Sequence, residues 1–169
     1  MSFKKVEIEN LQFNPFTKIG KEWLLISAGN KEKNNTMTAS WGAMGVIWGK
    51  NAITVYVRPQ RYTKEFLDRE ETFTISVLPE EYRKALTYCG KVCGKGIDKI
   101  KEAGLTAYPV DGTTAIEEAE LIFVCKKMYH NEITPEGIQE ESIDAANYPA
   151  KDYHTMYIAE ITQVLVKEK

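Results

Sequence analysis

Two stretches of this chain hold residue types and spacings able to do chemistry. In Asn35-Thr36-Met37-Thr38-Ala39-Ser40-Trp41, small side chains alternate along an extended backbone. A flat ring system could approach that backbone closely enough to hydrogen-bond its N–H and C=O groups. Gly42 and Gly45 follow and let the chain turn. In Arg58-Pro59-Gln60-Arg61-Tyr62-Thr63, two Arg and a Thr stand where the apolar run Ala52-Ile53-Thr54-Val55-Tyr56-Val57 gives way to a helix beginning near Thr63. Arginine forks and a helix N-terminus together make an anion site. Because a residue before proline is held extended, Arg58 is aimed reproducibly and is the candidate anion ligand. Arg61 has solvent as its simplest environment. The pair of segments suits an anionic, planar ligand.

Each of these residues also has a plainer reading. Thr38, Ala39 and Ser40 are either a ligand-lining backbone or ordinary alternating strand residues. Trp41 and Trp48 are either ring-stacking partners or core and interface aromatics. His154 is either a solvated histidine at a strand end or a group beside the ligand, and His130 is read as structural. Cys89 and Cys93 share a face if their segment is helical, and Cys125 lies in a separate apolar run. Their spacing fits neither a Cys-x-x-Cys redox pair nor a tetrahedral zinc site, so the expectation is three buried, reduced thiols. Glu117, Glu118 and Glu120 sit at a strand entrance with no His nearby and read as a solvated face, so no metal is expected. A hydrolase is excluded by the lack of a Gly-x-Ser-x-Gly elbow, and a separate dinucleotide-binding domain by the lack of Gly-x-Gly-x-x-Gly after a strand.

The elements that must position these groups are mainly strands. Short β-branched and aromatic runs bounded by Gly, Asn or Pro predict strands over Trp23 to Ala28, Thr36 to Met44, Ala52 to Val57, Thr72 to Leu78, Ala119 to Tyr129 and Thr155 to Val166. In Thr72 to Val77 the alternation predicts a buried apolar face and an exposed Thr and Ser face. Helices are expected over Thr63 to Asp68, Glu80 to Tyr88 and Gly96 to Ala103, the last closed by Gly104 in a left-handed cap. Asn131 to Lys151 reads as a long surface excursion. At 169 residues, 43% hydrophobic and 27% charged, the chain suits a single domain over 1–169. Its formal charge of −2, from 22 basic and 24 acidic residues, leaves no footprint for nucleic acid or anionic lipid. No apolar run reaches membrane-spanning length and Met1 to Glu7 lacks a signal core, so a cytoplasmic protein is expected.

Four segments taken in order, Asn35 to Trp41, Arg58 to Thr63, Cys93-Gly94-Lys95-Gly96-Ile97-Asp98-Lys99 and Asp152-Tyr153-His154-Thr155-Met156-Tyr157-Ile158, resemble the flavin reductase-like, flavoredoxin-type family across roughly residues 15 to 167. The resemblance implies an FMN-binding split β-barrel, mainly β with a few peripheral helices, that forms homodimers and holds flavin near the subunit interface. It implies that Asn35, Thr36, Met37, Thr38, Ala39, Ser40 and Trp41 line the FMN, with main-chain groups of Thr38, Ala39 and Ser40 at its polar edges. Arg58 and Thr63 would hold the phosphate, flanked by Pro59 and Tyr62. Lys95, at the start of the helix near Gly96, would meet the phosphate or the negative edge of the ring, and His154 would serve catalysis beside the flavin. Where the family commonly shows Ser-Gly-Arg-Asp this chain has Cys93-Gly94-Lys95-Gly96, which replaces a fork by a point charge. The activity implied is electron transfer from NAD(P)H or a protein donor through FMN to an acceptor. The alternative is a non-enzymatic carrier or sensor domain for FMN or another planar anion such as haem or pyridoxal phosphate.

Overall fold

A computed structural model describes residues 2–168. Ten strands dominate: β1 (Phe3–Val6), β2 (Leu24–Gly29), β3 (Asn34–Ala39), β4 (Gly42–Ile47), β5 (Lys50–Val57), β6 (Thr72–Val77), β7 (Ala107–Val110), β8 (Thr113–Ile116), β9 (Leu121–Glu132) and β10 (Thr155–Lys167). The main sheet runs β3-β2-β6-β9-β10-β5-β4, with β1 also on β10, and its pairings are antiparallel. β7 and β8 form a separate hairpin.

The expected single strand from Thr36 to Met44 is two strands. Ala39 pairs with Leu24 of β2, whereas Gly42 pairs with Val55 of β5, so the chain changes partners across Ser40 and Trp41. β3 and β4 therefore stand at opposite ends of the strand order yet are joined by one dipeptide. The sheet must curl until its two edges meet there, which is how an open sheet becomes a barrel. β10 assists the curl. Thr155 to Glu160 pair with β5, Val164 to Lys167 pair with β1, and register shifts between Ile158 and Ala159 and between Ile161 and Gln163 bend it against β9.

Both faces of the sheet are covered, so its central strands do not read as half-buried. Leu24, Ile26 and Ala28 of β2 and Phe123 and Cys125 of β9 enter one apolar cluster. Leu25, Ile122 and Val124 enter a second, under the helices and the β7–β8 hairpin. This corrects the expectation that the Thr and Ser face of β6 is exposed. Thr74 and Ser76 are fully buried; Thr74 Oγ1 donates to the Thr114 carbonyl at 2.7 Å and Ser76 Oγ accepts from the Ile116 N–H at 3.3 Å. The hairpin satisfies the polar face that its own backbone covers.

The short α1 (Pro15–Thr17) continues into a π-helical turn over Lys18–Glu22. α2 (Tyr62–Arg69) agrees with expectation to within a residue at each end. A 3-10 turn (Glu80–Tyr82) leads into α3 (Arg83–Lys91), which outruns the predicted end at Tyr88. The helix expected from Gly96 is only α4 (Lys99–Glu102), started by the Asp98 side chain and followed by Gly104 at φ +74°. Lys95 thus precedes the helix instead of opening it. Because α3 ends at Lys91, Cys89 and Cys93 do not share a helical face: Cys89 and Cys125 are buried, whereas Cys93 is exposed, against expectation. The stretch read as a surface excursion contains the end of β9, a 3-10 turn (Pro135–Gly137) and α5 (Glu141–Asn147), which buries none of its own residues. Among the described residues no helix is long and apolar enough to cross a membrane, and no group of three or more His, Cys, Asp or Glu is placed to hold a metal ion.

Candidate functional site

The seam between the sheet edges opens into a cleft of about 210 Å³ lined by Met37, Thr38, Ala39, Ser40, Trp41, Tyr56, Arg58, Arg61 and His154. β3 supplies one wall; the ends of β5 and the start of β10 supply the other. Arg58 lines this cleft with its charge already engaged. Its guanidinium lies 2.7 Å from Asp152 Oδ2, donates to the Asn147 carbonyl at 2.8 Å and sits 5.3 Å above the Tyr148 ring. Hydrogen bonds from Gln60 and Arg58 hold the Asp152 carboxyl below its ordinary range. His154 is not a solvated strand-end residue: it is 7% exposed, with its ring 5.0 Å from Trp41 and Nδ1 2.9 Å from the Tyr148 hydroxyl. Burial, helped by the nearby Arg58 charge, lowers its pKa to about 4, so it is neutral at physiological pH. The Tyr148 hydroxyl is hydrogen-bonded to Nδ1, and the neutral ring keeps one N–H donor and one acceptor nitrogen.

Met37 and Arg61 also line an adjoining cleft of about 350 Å³, completed by Gln60, Tyr62, Thr63, Gly90, Lys91, Val92, Cys93 and Lys99. Three cations and no carboxylate face this space. Arg61 is fixed by donating to the Gly90 carbonyl at 2.5 Å. Lys99 is 3% exposed and has no acidic partner among the described residues; burial, opposed by the nearby thiols and reinforced by Arg61, lowers its pKa to about 8. α2 begins at the cleft without a side-chain cap, which leaves first-turn N–H groups open. The cleft floor is tightly built. Asn35 Nδ2 donates to Thr63 Oγ1 at 3.0 Å and to the Cys93 carbonyl at 3.3 Å, while its Oδ1 is buried without a partner. Gly94 has φ +87°, and a Cβ there would lie 2.3 Å from Asn35 Oδ1 and 2.9 Å from Lys99 Cδ. Only glycine lets the loop pass.

The structure brings together Met37, Thr38, Ala39, Ser40, Trp41, Arg58 and His154 in the first cleft and Met37, Tyr62 and Thr63 in the second. Asn35 supports the second from beneath. Thr36 points away, donating to the Ile26 carbonyl at 3.2 Å and accepting from Ser27 Oγ at 2.9 Å. Pro59 and Lys95 are exposed and line neither cleft; Lys95 Nζ lies 6.0 Å over the Tyr62 ring. On the other side of Ser40, Trp41 and Tyr56 a more open, apolar cleft of about 560 Å³ is lined also by Pro15, Phe16, Ile19, Ala43, Met44 and Ile133. Trp48 is 62% exposed, 6.4 Å from Tyr129 on the far end of the β4–β5 hairpin.

Residues 16–169 match the family model of the flavin reductase like domain. The chain belongs to that family. A search of curated proteins finds no match. Among solved structures, this flavin reductase-like chain is similar to an FMN-binding domain of a flavin reductases-like enzyme from Shewanella baltica, with 17% identity and a TM-score of 0.68 over 98% of this chain and 77% of that one. Flavoredoxin of Desulfovibrio vulgaris gives 23% and 0.68 over 86% and 69%. A Shewanella frigidimarina protein described as having a split barrel domain gives 18% and 0.69 over 100% and 81%. The fold is thus the mainly β split barrel that the family resemblance implies. For a flavin reductase-like chain the arrangement adds two residues to those singled out from sequence, Lys91 and Lys99, and gives Arg61 a place in the cleft instead of in solvent. Lys99 lay within the third motif. The signal that could have found it is its place in the first turn of a short helix whose next residue, Ile100, is buried, so that the ammonium is drawn under the loop.

Proposed function

We propose that this chain binds FMN and works as a flavin reductase or flavoredoxin-type oxidoreductase, passing electrons from NAD(P)H or a protein donor to an acceptor. The observation that carries the reading is the cleft of Arg61, Lys91 and Lys99 with no carboxylate, joined at Met37 and Arg61 to a seam lined by backbone, Trp41 and His154. A phosphate fits such a donor set. Among the described residues buried Lys99 has no acidic counterion, and Thr63 at the cleft offers a hydroxyl.

On this reading Arg61, Lys91, Lys99 and Thr63 hold the phosphate, and main-chain groups of Thr38, Ala39 and Ser40 meet the polar edges of the ring. Arg58, already paired with Asp152, shapes the seam and supports Tyr148 and His154. His154 acts as a neutral hydrogen-bond donor toward the ring, since a cation there would be resisted by burial and by Arg58. Lys95 remains a peripheral charge near Tyr62. FMN, when bound, supplies hydride acceptance and electron transfer. The apolar cleft beyond Trp41 would admit the donor or acceptor, and exposed Phe16, Val46 and Trp48 would form part of a homodimer interface in a cytoplasmic protein.

The deciding measurement is the visible spectrum of the purified protein titrated with FMN, before and after anaerobic NADH. Flavin bands that bleach with NADH support the reductase. Bands that bleach only with dithionite support a carrier fed by another donor. A protein that fails to bind added FMN overturns the reading.

A further inference from the structure

Cys93 stands at the rim of the cationic cleft and differs from the other thiols. It is exposed, whereas Cys89 and Cys125 are buried, and burial pushes Cys89 up to about 11 and Cys125 well above its ordinary range. Its position is fixed: the Cys93 carbonyl accepts from Asn35 Nδ2, and the following Gly94 is wedged against Asn35 and Lys99. Arg61, Lys91 and Lys99 line the same space, and Lys99, 3% exposed and without an acidic partner among the described residues, is a buried cation open to an anion. A thiol exposed beside such cations meets anionic reagents at raised local concentration.

We propose that Cys93 is a modification site for anionic low-molecular-weight disulfides, which the cleft draws in and whose attachment closes the anion site. The effect on flavin rests on the function proposed above; the preference of the thiol for anionic disulfides does not. The exchange balances without further oxidant. The Cys93 thiol loses its proton to solvent, and Sγ attacks one sulfur of the disulfide. A Cys93–sulfur bond forms as the original sulfur–sulfur bond breaks, and the departing thiolate takes up a proton. The half that stays attached brings carboxylates to Arg61, Lys91 and Lys99 and fills space in a cleft of about 350 Å³. A phosphate then has neither the volume nor the free charge it needs, and a reducing thiol restores both.

The test uses the full chain, with glutathione disulfide as the anionic probe and hydroxyethyl disulfide as the neutral one, each followed by mass spectrometry and scaled to its rate with free cysteine. The expected result is an advantage for glutathione disulfide on the order of tenfold. Lys99→Met should shrink that advantage, Cys93→Ser should take up no label, and inorganic pyrophosphate should protect Cys93. Modified protein should lose FMN affinity at least tenfold and regain it with dithiothreitol. Equal scaled rates for the two disulfides, or modified protein that holds FMN undiminished, would overturn the proposal. If charge selectivity and pyrophosphate protection hold in a protein that never binds FMN, the modification site stands and the flavin reading fails.

Discussion

Arg58 and Lys99 line adjoining clefts and carry the same formal charge, but their surroundings leave them unlike. Arg58 is engaged by Asp152 and by the Asn147 carbonyl, and the buried His154 under its influence stays neutral. Lys99 is more deeply buried, faces no acid and shares its cleft with two further cations. A paired surface cation adds little to anion affinity, because most of its field is already terminated. An unpaired buried cation costs stability until an anion arrives, and part of that cost returns as binding free energy. Residue type identifies where charge is; only the fold reveals where charge is available.

The contrast can be broken at its root by Gly94→Ala. A Cβ 2.3 Å from Asn35 Oδ1, on a residue at φ +87°, forces the loop off Lys99. Backbone strain alone should cost about 1–3 kcal/mol, read as a fall in thermal midpoint, and phosphate-dependent flavin affinity should vanish with it. Lys99→Met sharpens the contrast. Losing one charge-assisted contact of about 1.5–3 kcal/mol should weaken FMN roughly 10- to 100-fold in a fluorescence titration, while riboflavin, which lacks the phosphate, should bind as before.

Acidity separates the two regions further. Lys99 has a free-state pKa of about 8, and an anion would raise it. Below that pH the lysine is charged with or without ligand. Above it, binding must take up a proton, so FMN affinity should fall as pH rises past 8, by at most about tenfold per unit, and Lys99→Arg should flatten the fall. His154 acts at the other end of the scale. Its folded pKa of about 4 lies below its unfolded value of about 6.5, so the unfolded chain binds the proton first as pH drops. Stability should decline by roughly 1–3 kcal/mol between those values, and His154→Gln should remove that slope from a series of urea melts. The smallest effect belongs to Arg58→Met. It should change FMN affinity less than about threefold and lower stability by about 1 kcal/mol. A loss as large as that from Lys99→Met would collapse the distinction.

Local pattern was enough to place β5, α2 and the run of β6, because period and flanking turn residues act within a few positions. It failed where coverage comes from far along the chain. Nothing within β6 announces that Thr74 and Ser76 meet Thr114 and Ile116. The site divides in the same way. Residues Met37 to Trp41 were legible as one surface because they adjoin in sequence, and the order of four motifs pointed to the family. The cationic cleft was not legible as a unit, since it depends on Asn35 reaching the loop at Cys93 and on a helix that starts at Lys99 instead of near Gly96. The break at Ser40 and Trp41 was hidden too, because both strands favour extended backbone and only their partners differ.

The wall of the seam behind Arg58 is carried by a segment with scant anchorage. α5 buries no residue of its own, and Tyr148 is the buried member of that stretch, held by the His154 ring and the Arg58 guanidinium. A unit with so few apolar contacts opens at a free energy well below that of the whole molecule. Its amides should therefore exchange with deuterated solvent long before those of β9 and β10, and the pace of that exchange reports, from outside the clefts, how firmly Arg58 and His154 hold their places.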